Sequence, residues 1–201
     1  DPVTLQADSV TLTTHGSSGD HLTLASVDAD DASAHDRTLT LDAGTGGTVT
    51  VSGALGSTQP LAGLTLVQSN GATFSDAVTV NDGSGTLTLT DTADGQLIDF
   101  QGDVTAASLS TAAEGYNLAL LADSGSLSGG ETLTLSSATT FTNTGSLSLG
   151  DEANDQLSLN LPGSSTFEAT APSSVKIAGS LVTTGDAVIL GDSNTPVTLG
   201  A

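Results

Sequence analysis

One short word recurs along the whole chain: an apolar residue, a small polar residue, an apolar residue. It reads Val3-Thr4-Leu5, Val10-Thr11-Leu12, Leu22-Thr23-Leu24, Leu39-Thr40-Leu41 and Val49-Thr50-Val51. It continues through Leu64-Thr65-Leu66, Val78-Thr79-Val80, Leu87-Thr88-Leu89, Leu133-Thr134-Leu135 and Leu147-Ser148-Leu149, and ends with Val197-Thr198-Leu199. Side chains of a strand alternate between its two faces, so the outer residues of each word share one face and the middle residue takes the other. The chain is therefore read as many short, half-buried strands. No helical period competes. The stretch 106–121 is the one candidate, and Gly115 and its Ser/Thr content weaken it.

Turn clusters separate the words, as in Asp42-Ala43-Gly44-Thr45-Gly46-Gly47 and Asn81-Asp82-Gly83-Ser84-Gly85. Word starts are uneven, but taken in pairs they settle near 22 to 25 residues: Leu39 to Leu64 to Leu87, and Leu133 to Leu157. Two or three short strands in a repeat of that length is the arithmetic of a parallel β-solenoid. About nine coils, at about 4.8 Å each, predict a rod of roughly 40–45 Å. The rival is a β-sandwich, whose strands are usually longer and more evenly spaced.

Composition favours the solenoid, with the sandwich kept as the alternative. Aromatic residues are 2% of the chain, with one Tyr, four Phe and no Trp, so Leu, Val, Ala and Ile must fill the interior. Such side chains stack as layers of near-equal size, whereas sandwich cores favour large aromatics. The predicted class is all-β, a β-solenoid of one domain over residues 1–201. Leu24, Leu41, Val51, Leu66, Val80, Leu89, Leu135, Leu149 and Leu159 are expected in buried ladders. Gly44, Gly46, Gly47, Gly83 and Gly85 are expected at coil corners, where positive φ is often required.

Charge excludes several functions. Two Lys+Arg stand against 23 Asp+Glu, for a formal net charge of −21. Two cations cannot neutralise a nucleic-acid backbone, and an anionic membrane surface repels the chain. No apolar run approaches the roughly 20 residues of a membrane helix, so no membrane insertion is expected. Without Cys there is no disulfide framework and no thiolate site. At 36% hydrophobic residues and a mean hydropathy of +0.11, the chain is too apolar for an acidic disordered tail. It opens Asp1-Pro2-Val3, with neither Met nor an apolar leader, which suits a mature form or a piece of a longer chain. The acidic surface and absent Cys suit an extracellular life.

The stretch 39–66, LTLDAGTGGTVTVSGALGSTQPLAGLTL, resembles the repeats of large secreted bacterial exoproteins of the filamentous-haemagglutinin type. The stretch 179–199, GSLVTTGDAVILGDSNTPVTL, is similar to another repeat of that family. The resemblance implies a right-handed parallel β-helix at the bacterial cell surface, acting in adhesion or scaffolding. The Asn-Pro motifs of that family's secretion domain are not in this sequence.

Candidate chemistry is sparse. Two acidic groups could offer oxygens to calcium: Asp28, Asp30, Asp31 and Asp36, and Asp151, Glu152 and Asp155. The run 150–157, GDEANDQL, resembles a calcium nonapeptide repeat but lacks tandem copies. Solvated loops are the alternative reading of both. His15 and His21 flank a Gly/Ser turn and lack a third committed metal ligand; His35 stands apart. A carbohydrate-active β-helix needs basic and aromatic residues along a cleft, which one Tyr, Tyr116, and two cations do not furnish. No nucleophile elbow or phosphate loop is present, so no enzyme is expected. Paired outward threonines, Thr11/Thr13, Thr38/Thr40, Thr48/Thr50, Thr86/Thr88/Thr90 and Thr132/Thr134, raise ice binding as a further reading. Against it, uneven coil lengths need not bring the pairs onto one face, and Thr favours strands in any case.

The expected role is an extracellular structural or adhesive solenoid without catalysis. No terminal cap is evident in the sequence, so its end coils are expected to be covered by flanking domains of the same polypeptide or by other copies in a head-to-tail homopolymer. A host or neighbouring-cell surface is the expected external partner.

Overall fold

A computed structural model describes residues 3–30, 37–80, 83–122, 130–163 and 165–200. The chain winds through stacked coils, each with up to three short strands. The first coil holds β1 (Val3–Leu5), β2 (Ser9–Thr13) and β3 (Leu22–Leu24). The second holds β4 (Val27–Ala29), β5 (Thr38–Asp42) and β6 (Val49–Val51). In the third, Leu55 alone bridges Val27 below and Val78 above, ahead of β7 (Gly63–Ser69) and β8 (Ala72–Phe74). The fourth holds β9 (Val78–Thr79), β10 (Thr86–Thr92) and β11 (Leu97–Phe100). The fifth holds β12 (Val104–Ala106), β13 (Ser108–Thr111) and β14 (Asn117–Leu120). β15 (Thr132–Leu135), β16 (Thr139–Thr140) and β17 (Ser146–Leu149) make the sixth. β18 (Gln156–Leu159), β19 (Thr166–Ala169) and β20 (Ser174–Ile177) make the seventh, and β21 (Ser180–Thr183), β22 (Ala187–Leu190) and β23 (Val197–Leu199) the eighth.

Every strand pairs in parallel with its counterpart one coil away, giving three faces. The third face is one eight-stranded sheet from β3 to β23. The second runs β2-β5-β7-β10-β13 and continues as β16-β19-β22. At that junction the Thr142 N–H donates to Thr111 Oγ1 at 2.8 Å. The first face joins β1-β4, through Leu55, to β9-β12-β15-β18-β21. This is a parallel β-solenoid and not a β-sandwich. It has about eight turns rather than nine, because corner loops make many coils longer than the sequence period suggests. Eight strands about 4.8 Å apart span roughly 35 Å.

Register follows the words. Leu39 pairs with Leu64 and Leu64 with Leu87; Leu133 pairs with Leu157. Coil length varies widely behind this constancy. Ile98 pairs with Leu118, 20 residues on, and Leu118 with Leu147, 29 residues on. Stretch 106–121 holds β13 and β14 and no helix.

Inward residues form one continuous core. Eight of the nine expected ladder residues are buried; Leu24, in the first coil, is half-buried because its strand has a neighbour on one side only. The core also takes the aromatics. Phe74 stacks on Phe100, Phe141 meets Phe167 edge-on at 5.3 Å, and Tyr116 is fully buried. Of the corner glycines, Gly44 has φ +63, and a Cβ there would sit on the Gly16 Cα. Gly47 is needed for close approach instead: its Cβ would meet the Asp20 carbonyl.

Candidate functional site

Of the first acidic group, the structure describes Asp28 and Asp30. Asp28 is buried in β4, and its Oδ1 accepts the Thr58 N–H at 3.0 Å, fastening the next coil's loop. Asp30 accepts Arg37 Nε at 2.6 Å, while Arg37 Nη1 reaches Asp8 at 2.5 Å. Arg37 thus clips the first two coils together. Asp31 and Asp36, and His35 with them, lie outside the described residues.

The second group shares one turn, but Asp155 is a structural acceptor there. It is 1% exposed. Its Oδ2 accepts the N–H groups of Asp151 (2.8 Å) and Glu152 (3.0 Å), and its Oδ1 accepts that of Glu131 (3.3 Å). A carboxylate that takes three backbone donors is satisfied where it stands. The sequence run GDEANDQL is therefore a turn closed by its own sixth residue. Among the described residues, no three His, Cys, Asp or Glu side chains are grouped to hold a metal ion.

His21 Nδ1 accepts the Thr48 N–H at 3.1 Å, which ties the corner of one coil to the next. His15 sits at φ +59 in a left-handed turn. Tyr116 points into the core, where its hydroxyl donates to the Leu89 carbonyl at 3.3 Å. Burial pushes its phenol up to about 12. On the third face, Asp99 occupies an outward position between Thr73 and Ala119. Burial, above all, holds its carboxyl above the usual range, and the nearby Asp151 charge adds to the effect; the hydrogen bond from Gln101 Nε2 (2.8 Å) opposes it.

The second face brings together threonines that the sequence shows only as separate pairs. Parallel register aligns two columns of outward side chains over five coils. One is Ser9, Thr38, Gly63, Thr86 and Ser108; the other is Thr11, Thr40, Thr65, Thr88 and Ser110. A bulge after Leu41 sets Asp42 opposite Gln68, beyond these columns. Thr132 and Thr134 lie on the first face and Thr50 on the third, so only part of the expected threonine set converges. The signal was in the sequence: the Leu39–Leu64–Leu87 step also superposes Thr40, Thr65 and Thr88.

The eighth coil differs from the others. Two of its outward positions turn apolar: Val182 follows Ser158 on the first face, and Ile189 follows Glu168 on the second, while Thr198 follows Lys176 on the third. Both are exposed, at 47% and 44%, and Leu199 in β23 is 80% exposed. The loop Asp192–Thr195 is closed by Asp192 Oδ1, which accepts the N–H groups of Asn194 and Thr195.

No helix of the described residues is long and apolar enough to cross a membrane. Comparison with protein-family models, with curated proteins and with solved structures finds no match. The likeness to secreted repeat exoproteins therefore rests on the repeats themselves and on the parallel solenoid they build.

Proposed function

We propose that the chain is a non-catalytic, rigid element of an extracellular bacterial surface, of filamentous-haemagglutinin type. In this reading it acts as a structural or adhesive rod that presents its faces to a host or neighbouring cell. The observation that carries the reading is the parallel stacking of each strand on its counterpart one coil away, with the third face running as one eight-stranded sheet from the first coil to the eighth. Each strand edge is a template for the next strand of the same kind, so stacking continues along the axis wherever matching coils meet. Matching coils come from flanking parts of the same polypeptide or from another copy, joined head to tail by a contact that does not close on itself. The charge of −21 opposes lateral clumping while leaving axial contacts free.

Negative-stain electron microscopy of the purified chain, with calcium and with chelator, tests this reading. Long uniform filaments in both conditions support self-assembly. Filaments in calcium alone make assembly cation-dependent. Isolated short rods in both conditions favour a segment of a larger adhesin. Irregular aggregates without rods in either condition overturn the reading.

A further inference from the structure

We propose that the second face, over β2, β5, β7, β10 and β13, binds the surface of ice. The face is a grid. Coils are about 4.8 Å apart along it, and alternate residues of a strand about 6.7 Å apart across it. Its central column is Thr11, Thr40, Thr65, Thr88 and Ser110, in register. Each hydroxyl both donates and accepts, as a lattice water does, and each threonine adds a methyl beside it.

Three features select ice as the occupant. The first is charge. In a chain of net charge −21, neither column carries a charged residue. The charges bordering the grid are tied sideways: Arg37 holds Asp8 and Asp30, and Gln68 Nε2 donates to Asp91 at 2.8 Å. A mineral or a cationic polymer would select carboxylates, and the two columns offer none; Asp42 and Asp91 lie beyond them, where they accept from the Gly44 N–H and from Gln68 Nε2. The second is the absence of aromatic platforms. Flat polysaccharide sites stack sugar rings on exposed aromatics, whereas Phe74, Phe100, Phe141, Phe167 and Tyr116 are all buried. The third is order before binding. Parallel neighbours hold the three inner strands from both sides, and β-branched threonine has few χ1 states. Little freedom is left to lose when the grid meets a rigid lattice, and many weak contacts then act together.

The grid also has hydroxyls to spare. Thr86 and Ser108 approach each other at 3.0 Å, and Thr38 donates to the Asp8 carbonyl at 3.2 Å. Among the described residues the central column makes no such side-chain bond, so its hydroxyls remain for an external lattice.

The test is uptake of the full chain into a slowly grown ice hemisphere, with ice and liquid fractions compared by gel densitometry. Four proteins are compared: the wild type, Thr40→Lys/Thr65→Lys, the milder Thr40→Ala/Thr65→Ala, and Thr134→Lys on the first face. Circular dichroism melting verifies each fold. Wild type and Thr134→Lys are expected to enter the ice. The lysine pair is expected to lose uptake about tenfold or more, each tenfold corresponding to 1.4 kcal/mol of lost interaction. The alanine pair, which keeps the strand but removes hydroxyl and methyl, is expected to fall in between. Exclusion of the wild type from ice overturns the proposal, as does full uptake of a folded lysine or alanine pair. Binding of the wild type to crystalline cellulose or chitin without entry into ice overturns it in favour of a polysaccharide.

Discussion

The rings of Phe74 and Phe100 stack 4.5 Å apart and within 3° of parallel, one coil above the other in β8 and β11. The contact joins residues 26 apart in sequence through the register of the third face. Phe100→Ala should cost about 3–5 kcal/mol, because the rigid ladders on either side cannot collapse into the space. A double-mutant cycle with Phe74→Leu and Phe100→Leu should give a coupling of about 0.5–1.5 kcal/mol for the stack itself. Denaturant unfolding of the wild type and the four variants measures both.

Register makes a sharp contrast in β15. Leu135 is fully buried, and its neighbour Thr134 points outward between Thr105 and Ser158. Leu135→Asp should abolish cooperative melting, since the charge is buried without a partner. Thr134→Asp should cost about 1 kcal/mol or less. Equal effects in thermal melts would invalidate the alternation.

Tyr116 offers a reporter free of other tyrosines. Its phenol is pushed up from 10 to about 12 by burial. The neutral form is favoured in the folded chain, so the stability this supplies is complete below pH 10 and lost as pH rises through about 12. Absorbance at the tyrosinate band should stay flat across pH 10–11 in the native protein and rise there in denaturant. Tyr116→Phe should cost about 1 kcal/mol at most, because the Leu89 carbonyl also accepts the Ala112 N–H at 2.9 Å and keeps a partner.

Asp99 works in the opposite sense at neutral pH. Its folded carboxyl titrates above 3.8, so the folded state binds the proton more tightly than the unfolded chain does. Its favourable contribution is complete below pH 3.8 and disappears as pH rises through the raised value. Asp99→Asn should therefore raise the melting temperature at pH 7 and flatten the stability profile on the acid side. The asparagine carbonyl still accepts from Gln101.

Asp155→Ala should leave the N–H groups of Asp151, Glu152 and Glu131 without their acceptor. At about 1–3 kcal/mol for each buried orphan, the loss should reach several kcal/mol. The same drop in melting temperature in calcium and in chelator would identify Asp155 as a turn-closing residue; a drop seen in calcium alone would make it a ligand.

Much of the fold was readable because the inward positions obey a two-residue period and the coils a loose one. The Leu39–Leu64–Leu87 ladder could be drawn from spacing, and with it the burial of Leu41, Leu66 and Leu89. The number of coils was not readable, since nothing local tells a loop inside a coil from one between coils. The Phe74–Phe100 stack was hidden for a related reason: the two residues are isolated in sequence and meet only once the register is set. The acidic residues were ambiguous in another way. A buried carboxylate that closes a turn and one that binds calcium have the same sequence signature, and the three N–H groups on Asp155 could be seen only in the fold. The threonine grid was visible as single pairs, but its alignment depended on corner loops whose lengths average out only in three dimensions.

Those corner loops carry one further consequence. Successive steps of 20 and 29 residues on the third face leave Ile98, Leu118 and Leu147 stacked in register. The columns tolerate insertions and deletions as long as they fall at the bends. Such a chain can change its perimeter one corner at a time, acquiring or shedding a projecting loop, while the flat sides inherit their spacing unaltered.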